Sequence, residues 1–185
     1  MKTFDVTIKG VKPGLLMHRF PELTVAGLAT PVKAVGKKKL TGEQEAELAA
    51  YRLESGELCQ PADAIHQAMI EAAGEFQIQG RGKKTYKSVL KGLVIISPDF
   101  ISHGTEEYAI DKRVVRIQKA RIVRHRPHLP EWQLSFLVQV LDENLLPDEV
   151  LSAILAKAGQ TIGIGDYRPR FGRFVVTRLN EAKEG

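Results

Sequence analysis

Alternation of apolar and polar residues marks the strands of this chain. Apolar residues occupy every second position over 4–8, which is typical of a half-buried strand. The clearest alternation runs over 132–140. Its second face also carries apolar residues, Leu137 and Leu141, so we expect this strand to lie in the centre of a sheet.

Helical periodicity predicts three helices, each with a recognisable start. Thr41, followed three residues later by Gln44, predicts a capping box for a short helix that runs to about Leu53. Pro61 opens a second helix and Pro147 opens a third, because proline is favoured in the first helical turn. The apolar stripes of the second and third helices consist of Ile65, Ala68, Met69, Ala72, Val150, Leu151, Ile154, Leu155 and Ala158.

The order of these elements predicts the fold class. Two further apolar runs, at 93–96 and 174–176, predict short strands. Apart from the early helix, the order is β-α-β-β-α-β, which predicts an α+β fold of the ferredoxin-like (RRM-like) type. We expect a single domain over 1–185. Residues 21–40 are rich in Pro, Gly and Lys and predict a long mobile loop.

Composition narrows the class of protein. Of the 185 residues, 43% are hydrophobic, which is enough for a substantial core. The net charge of +5 and the pI of about 9.3 permit a polyanionic partner such as nucleic acid. The single cysteine, Cys59, excludes an internal disulfide and fits a reducing compartment. No apolar run has the length of a membrane span or a signal core, so we expect a soluble, cytoplasmic protein without membrane contact.

Basic residues are clustered along the chain. Between Asp111 and Glu131 there is no acidic residue, whereas seven lysines and arginines and two histidines lie there. Within this interval a strand-like alternation breaks near Lys119, which suggests a bulge or a bend. Two smaller basic groups lie at 37–39 and 81–84. If the fold brings these groups together they form one positive stripe; otherwise they are separate solvated faces.

A loop rich in glycine, arginine and aromatic residues follows the third helix. Glycine lets a backbone approach a ligand, arginine offers a planar fork to phosphate, and aromatic rings offer faces to bases. The loop therefore predicts a grip on a nucleic-acid backbone, while a tight turn with solvated arginines has the same composition. We expect Asp166 to pair with an arginine and shape the loop. The residues concerned are Gly163, Gly165, Gly172, Tyr167, Phe171, Arg168, Arg170 and Arg173.

Three segments resemble a known protein family. In 58–72 a proline and small residues precede a helix, 163–174 is the glycine-rich loop, and 6–16 contains the first strand and the turn after it. On these segments the chain resembles the RAMP superfamily of CRISPR-associated proteins. Within that superfamily it is most similar to the backbone subunits that bind guide RNA, and a short relative from a phage or mobile element fits the same pattern.

The resemblance implies a function. Such a protein grips guide RNA or another single-stranded nucleic acid by its phosphates, and it assembles into a filament with copies of itself and with other effector-complex subunits. The segment 98–130 is then an inserted basic hairpin, or thumb. We predict a non-catalytic protein without metal or cofactor. The candidate RNA-binding residues are His18, Arg19, Lys37, Lys38, Lys83, Lys84, Arg116, Lys119, Arg121, Arg124, Arg126, Gly163, Gly165, Tyr167, Arg168, Arg170, Phe171, Gly172 and Arg173.

Two other functions fit the same residues. His18 beside Arg19 can supply the base and the cation of a metal-independent endoribonuclease, although no histidine spacing here is diagnostic. Alternatively, a phage or mobile-element accessory protein uses the fold as a protein-interaction module. Trp132 stacks on a base or, as we favour, packs in the core at the start of a strand.

Overall fold

The chain folds into antiparallel sheets and helices, an α+β architecture. The computed structural model describes residues 1–19, 40–117 and 120–182. Their strands are β1 (Lys2–Gly10), β2 (Leu15–Leu16), β3 (Cys59–Pro61), β4 (Val94–Ser97), β5 (Phe100–Ser102), β6 (Ala109–Ile117), β7 (Ala120–Leu129), β8 (Gln133–Val140) and β9 (Phe174–Glu181). Their helices are α1 (Gly42–Ala49), α2 (Ala62–Ala72), α3 (Lys87–Leu93) and α4 (Asp148–Lys157).

The largest sheet has four antiparallel strands in the order β4-β8-β1-β9. The chain passes through α2 between β1 and β4, and through α4 between β8 and β9. In register, Val6 of β1 lies opposite Phe136 of β8 on one side and Leu179 of β9 on the other. The prediction that β8 is a central strand is confirmed, because it pairs with both β4 and β1.

The core lies between one face of this sheet and the helices α2 and α4. Alternate residues of β1 and β8 are buried there, as the sequence pattern predicts for a sheet covered on one side. The apolar stripes of α2 and α4 cover them, and α2 contacts both α4 and β4. Trp132 is 6% exposed and belongs to the same core, so its predicted packing role is confirmed.

The opposite face of the sheet is open and mixed in character. Ile95, Leu137 and Val175 are exposed there. Polar side chains lie between them, including the hydroxyls of Thr7 and Ser135, which are 3.0 Å apart.

A long hairpin forms most of a second sheet. Strands β6 and β7 pair from Ala109↔His128 to Ile117↔Ala120, and β7 also pairs with the short β2. We interpreted the break in alternation near Lys119 as a bulge or bend; Lys119 lies outside the described residues, between the paired Ile117 of β6 and Ala120 of β7. The predicted insertion, 98–130, contains β5, β6 and β7, and none of them belongs to the four-stranded sheet.

The helix starts agree with the sequence better than the helix ends do. Thr41 caps α1 through a capping box: its Oγ1 accepts from the Gln44 N–H at 3.2 Å, and its own N–H donates to Gln44 Oε1 at 3.0 Å. Helix α1 ends at Ala49, before the predicted end near Leu53. The helix α3 was not predicted. Most of the predicted loop 21–40 lies outside the described residues. None of the helices in the described ranges is long and apolar enough to cross a membrane.

A candidate nucleic-acid interface

The glycine-rich loop folds tightly onto the chain that follows β1. Its backbone N–H groups at Asp166 and Gly172 donate to the carbonyls of Leu16 and Gly14, both at 2.8 Å. Gly165 and Gly172 have φ of 79° and 76°, and a Cβ on Gly172 would overlap the Ile164 carbonyl oxygen. These glycines therefore allow close packing within the protein, and the loop is held firmly against β2.

Aromatic and cationic side chains join this loop to the hairpin. The Arg113 guanidinium of β6 lies 4.4 Å from the ring centre of Phe171 and 5.3 Å from that of Tyr167. Phe171 is 2% exposed, whereas Tyr167 is 42% exposed. The His128 ring of β7 meets Phe171 edge-on at 5.8 Å. Tyr167 also has φ of 61°, an unfavourable value for a residue with a side chain, so this packing holds it in place.

Asp166 provides the second link between loop and hairpin. Its Oδ2 accepts from Arg126 Nε at 3.1 Å and lies 3.7 Å from His18 Nδ1. This confirms the expectation that Asp166 pairs with an arginine. Arg126 also donates to His18 Nε2 at 3.2 Å. Burial lowers the pKa of His18, and the neighbouring positive charge of Arg126 lowers it further, so the imidazole is neutral at pH 7.

Helix α1 neutralises part of the charge on β7. Glu45 accepts from Arg124 at 3.1 Å and from His125 at 2.8 Å, and it lies 4.0 Å from Arg126. Burial acts to raise the pKa of Glu45, but the hydrogen bonds from His125 and Arg124 outweigh it, and the pKa is lowered. No sequence pattern indicated this contact, because Glu45 lies far from the hairpin along the chain.

Several cations of the hairpin and loop still face solvent. Lys112, Arg121, Arg170 and Arg173 are exposed, and none has a carboxylate within 4 Å among the residues that the structure describes. Arg116 is also exposed. Arg113 pairs instead with Asp111, 2.9 Å from Nη2 to Oδ2.

A cleft of about 570 Å³ opens beside the loop, where α2 begins. The loop, His18 and the first turn of α2 contribute to its walls, so elements that are distant in sequence meet there. Arg168, at its edge, lies 3.5 Å from Glu71 of α2. The cleft is lined by His18, Tyr51, Gln60, Pro61, Asp63, Ala64, Gln67, Ile164, Gly165, Asp166 and Arg168.

The remaining candidate RNA-binding residues that the structure describes do not form one group with the hairpin and the loop. Lys83 and Lys84 are exposed beside the bridge between Gln77 and Thr85. Gln77 lines a depression with Pro147, which immediately precedes α4, and Asp148 of that helix binds Lys2 at the start of β1. The hairpin lies at the other end of β1. Arg19 follows β2 near the cleft, and its backbone N–H donates to the Ala49 carbonyl at 2.9 Å. Lys37, Lys38 and Lys119 lie outside the described residues.

Sequence reasoning missed two residues of the cleft, Gln60 and Asp63. Both lie in the segment 58–72, which was recognised by its proline and small residues, and only the fold places them opposite the glycine-rich loop. Within the described ranges, no group of three His, Cys, Asp or Glu side chains is arranged to hold a metal ion.

No protein-family model matches the chain. No curated protein matches its sequence either. The function is therefore inferred from the chemistry of the site.

Proposed function

We propose that this chain is a non-catalytic RNA-binding protein with a ferredoxin-like fold, a RAMP-type backbone subunit that holds single-stranded RNA by its phosphates. The strand order β4-β8-β1-β9, with α2 and α4 as the two connections, supports the ferredoxin-like topology. A short relative from a phage or mobile element has the same expected chemistry.

One observation carries the proposal: the hairpin and the glycine-rich loop, distant in sequence, meet through the Arg126–Asp166 ion pair and the Arg113–Phe171 stack. Each segment contributes exposed cations next to this junction. The carboxylates of Glu45, Asp111 and Asp166 pair with other side chains and hold the junction together. Exposed arginines on a rigid support are well suited to bind a phosphate backbone without reading its sequence.

The side chains on the open sheet face favour RNA binding through the phosphates over RNA binding through stacked bases. The residues of β1 and β8 that face this side are Thr3, Asp5, Thr7, Lys9, Gln133, Ser135, Leu137 and Gln139. None of these is aromatic, whereas RRM-type sheets bind RNA by stacking bases on aromatic side chains.

Assembly with further copies, and with other subunits of a ribonucleoprotein, is part of the proposal. The hairpin exposes Ile110, Val114 and Val123, which are 42%, 63% and 43% exposed. Apolar side chains on a projecting hairpin favour contact with a neighbouring subunit, because burying them removes apolar surface from water.

The test is a binding titration of labelled single-stranded RNA, followed by fluorescence anisotropy. The double substitution Arg170→Gln, Arg173→Gln removes two exposed loop cations. We expect it to weaken binding at least about tenfold, because charge-assisted hydrogen bonds contribute about 1.5–3 kcal/mol each. The matched control, Lys87→Gln with Lys91→Gln on α3, removes the same charge from exposed positions on another element. Equal losses in both variants would show that only net charge matters.

A metal-independent endoribonuclease is the second candidate, because a neutral His18 lies in the cleft beside Asp166 and Arg126. The Nε2 lone pair of His18 accepts from Arg126, so it is not available to a substrate in this arrangement, and we favour binding without cleavage. Incubation of the RNA with the protein, followed by a gel, separates the candidates. Cleavage that disappears in His18→Gln supports the enzyme.

A further inference from the structure

The four-stranded sheet has two edges, β4 and β9, which stand at the ends of its order among the described strands. An edge strand presents backbone N–H and C=O groups that can pair with another chain, and proteins usually protect it with charged residues or proline. Strand β4 has the sequence Val-Ile-Ile-Ser, so it contains neither. Its edge is therefore available for pairing.

The backbone groups of Ile96 point outward from the β4 edge. The Leu141 N–H donates to the Leu93 carbonyl at 2.9 Å, and hydrogen-bonded pairs alternate along an antiparallel ladder. The pair Ile95↔Gln139 is therefore hydrogen-bonded, whereas Ile96 turns its N–H and C=O away from β8. A cavity of about 480 Å³ opens on this side, between β4 and the first turn of α2.

On the β9 edge the corresponding residue is Val176. The Val11 N–H donates to the Arg173 carbonyl at 2.9 Å, so the same alternation makes Lys9↔Val175 a hydrogen-bonded pair. The N–H and C=O of Val176 then point away from β1. Each end of the sheet thus offers one donor and one acceptor of the backbone.

The charges beside the two edges are complementary. Successive strands of the sheet are antiparallel, so β9 runs opposite to β4, and a sheet that continued into a second copy would pair these edges antiparallel. Ile96 and Val176 both pack on the core side, and setting them opposite each other places Asp99 opposite Arg173. Both of these side chains are exposed, and neither has an oppositely charged group within 4 Å among the described residues.

Resting on the assembly that the proposed function includes, we propose that copies of this chain join head to tail, with β9 of one copy paired to β4 of the next and Val176 opposite Ile96. Pairing of β4 with β4 would instead bring the Asp63 and Asp99 carboxylates of two copies together. A head-to-tail contact leaves one edge free at each end, so it repeats into an open filament.

The experiment is sedimentation velocity on the full chain over a series of concentrations, with and without oligouridine. Val176→Pro removes a backbone N–H that bonds nothing within the sheet, and edge strands tolerate proline at such a position. We expect this variant to sediment as a monomer at concentrations where the wild type forms a ladder of larger species. Val176→Ala is the matched control: it also shortens the side chain but keeps the N–H, so the ladder remains.

A charge exchange tests the register and does not depend on proline. Asp99→Arg and Arg173→Asp are each expected to lose the larger species, because each brings two like charges together. The double variant restores an opposite pair across the head-to-tail contact and is expected to regain them. Melting temperatures show that each variant is folded.

The outcomes separate this inference from the proposed function. A wild type that stays monomeric in both conditions or stops at a dimer, or a folded Val176→Pro that assembles like the wild type, overturns the edge pairing. If Val176→Pro does not fold, a double charge variant that stays monomeric overturns it. Fluorescence anisotropy with labelled oligouridine measures RNA binding independently. Binding without edge pairing leaves the phosphate grip standing, and edge pairing without binding overturns the proposed function alone.

Discussion

His103 is placed to make the stability of this protein depend on pH. It follows β5, and both of its ring nitrogens are buried without a hydrogen-bond partner among the described residues. Its ring meets the indole of Trp132 edge-on at 6.2 Å. Burial lowers the pKa of His103 from 6.5 to about 4, because no nearby group compensates the imidazolium for its lost water.

The size of the effect follows from linkage between protonation and folding. In the unfolded chain His103 takes up a proton as the pH falls through 6.5, whereas in the fold it stays neutral until about pH 4. The unfolded state therefore binds more protons over that window, and stability falls as the pH falls. Each unit of pKa difference corresponds to about 1.4 kcal/mol, so the loss across the window is about 3 kcal/mol.

The perturbation is His103→Phe, which keeps a planar ring against Trp132 and removes the titrating group. Urea denaturation at a series of pH values gives the free energy of unfolding for both proteins. We expect the variant to gain about 3 kcal/mol relative to the wild type between pH 6.5 and pH 4. Carboxylates titrate in the same pH range in both proteins, so their contribution cancels when the two free energies of unfolding are subtracted.

His66→Phe is the matched control, because it also replaces one histidine by phenylalanine but acts on a ring whose nitrogen lies 3.2 Å from the Leu90 carbonyl oxygen. This variant measures how much of the change comes simply from replacing a histidine by phenylalanine. Parallel pH profiles for the wild type and His103→Phe would refute the reasoning, since they would mean that His103 takes up its proton equally in both states.

Three further results are expected. RNA affinity should fall by orders of magnitude between roughly 50 and 200 mM salt if about six or more phosphates are contacted; a flat response contradicts the phosphate grip. Glu45→Gln should lower the free energy of unfolding by about 1 kcal/mol and raise RNA affinity, because Arg124 and His125 lose their carboxylate; denaturation and anisotropy measure the two effects. Replacing 114–123 by an Asn-Gly turn should leave the melting temperature nearly unchanged and weaken RNA binding, because the described side chains there are at least partly exposed; an unfolded product contradicts this.

The sheet and its helices were predictable because burial imposes a period on the sequence. The centrality of β8 followed from Leu137 on its second face, and the start of α1 followed from the pair Thr41 and Gln44. Short elements without a clear apolar stripe were not predicted. Helix α3 buries only Leu90 and includes a glycine, so neither periodicity nor composition marks it.

The candidate site was predictable in composition and not in arrangement. The sequence identified the hairpin cations, the loop arginines and the pairing of Asp166. It did not reveal that Glu45 binds Arg124 and His125, or that Gln60 faces the loop across a cleft. These contacts depend on how distant elements dock, and a local pattern of residue types contains no information about docking.

The central strand β1 has a consequence for biosynthesis. It emerges from the ribosome first among the strands described, yet both of its neighbours are made much later: Ile8 lies opposite Leu134 on one side and Val176 on the other. Until β8 is translated, the apolar residues Phe4, Val6 and Ile8 have no sheet to join, and nascent chains are exposed to wrong pairing throughout this interval. If the ribosome stalls before Phe174, β9 is missing and β1 has one edge without a hydrogen-bonded neighbour. Completion of folding therefore depends on completion of synthesis.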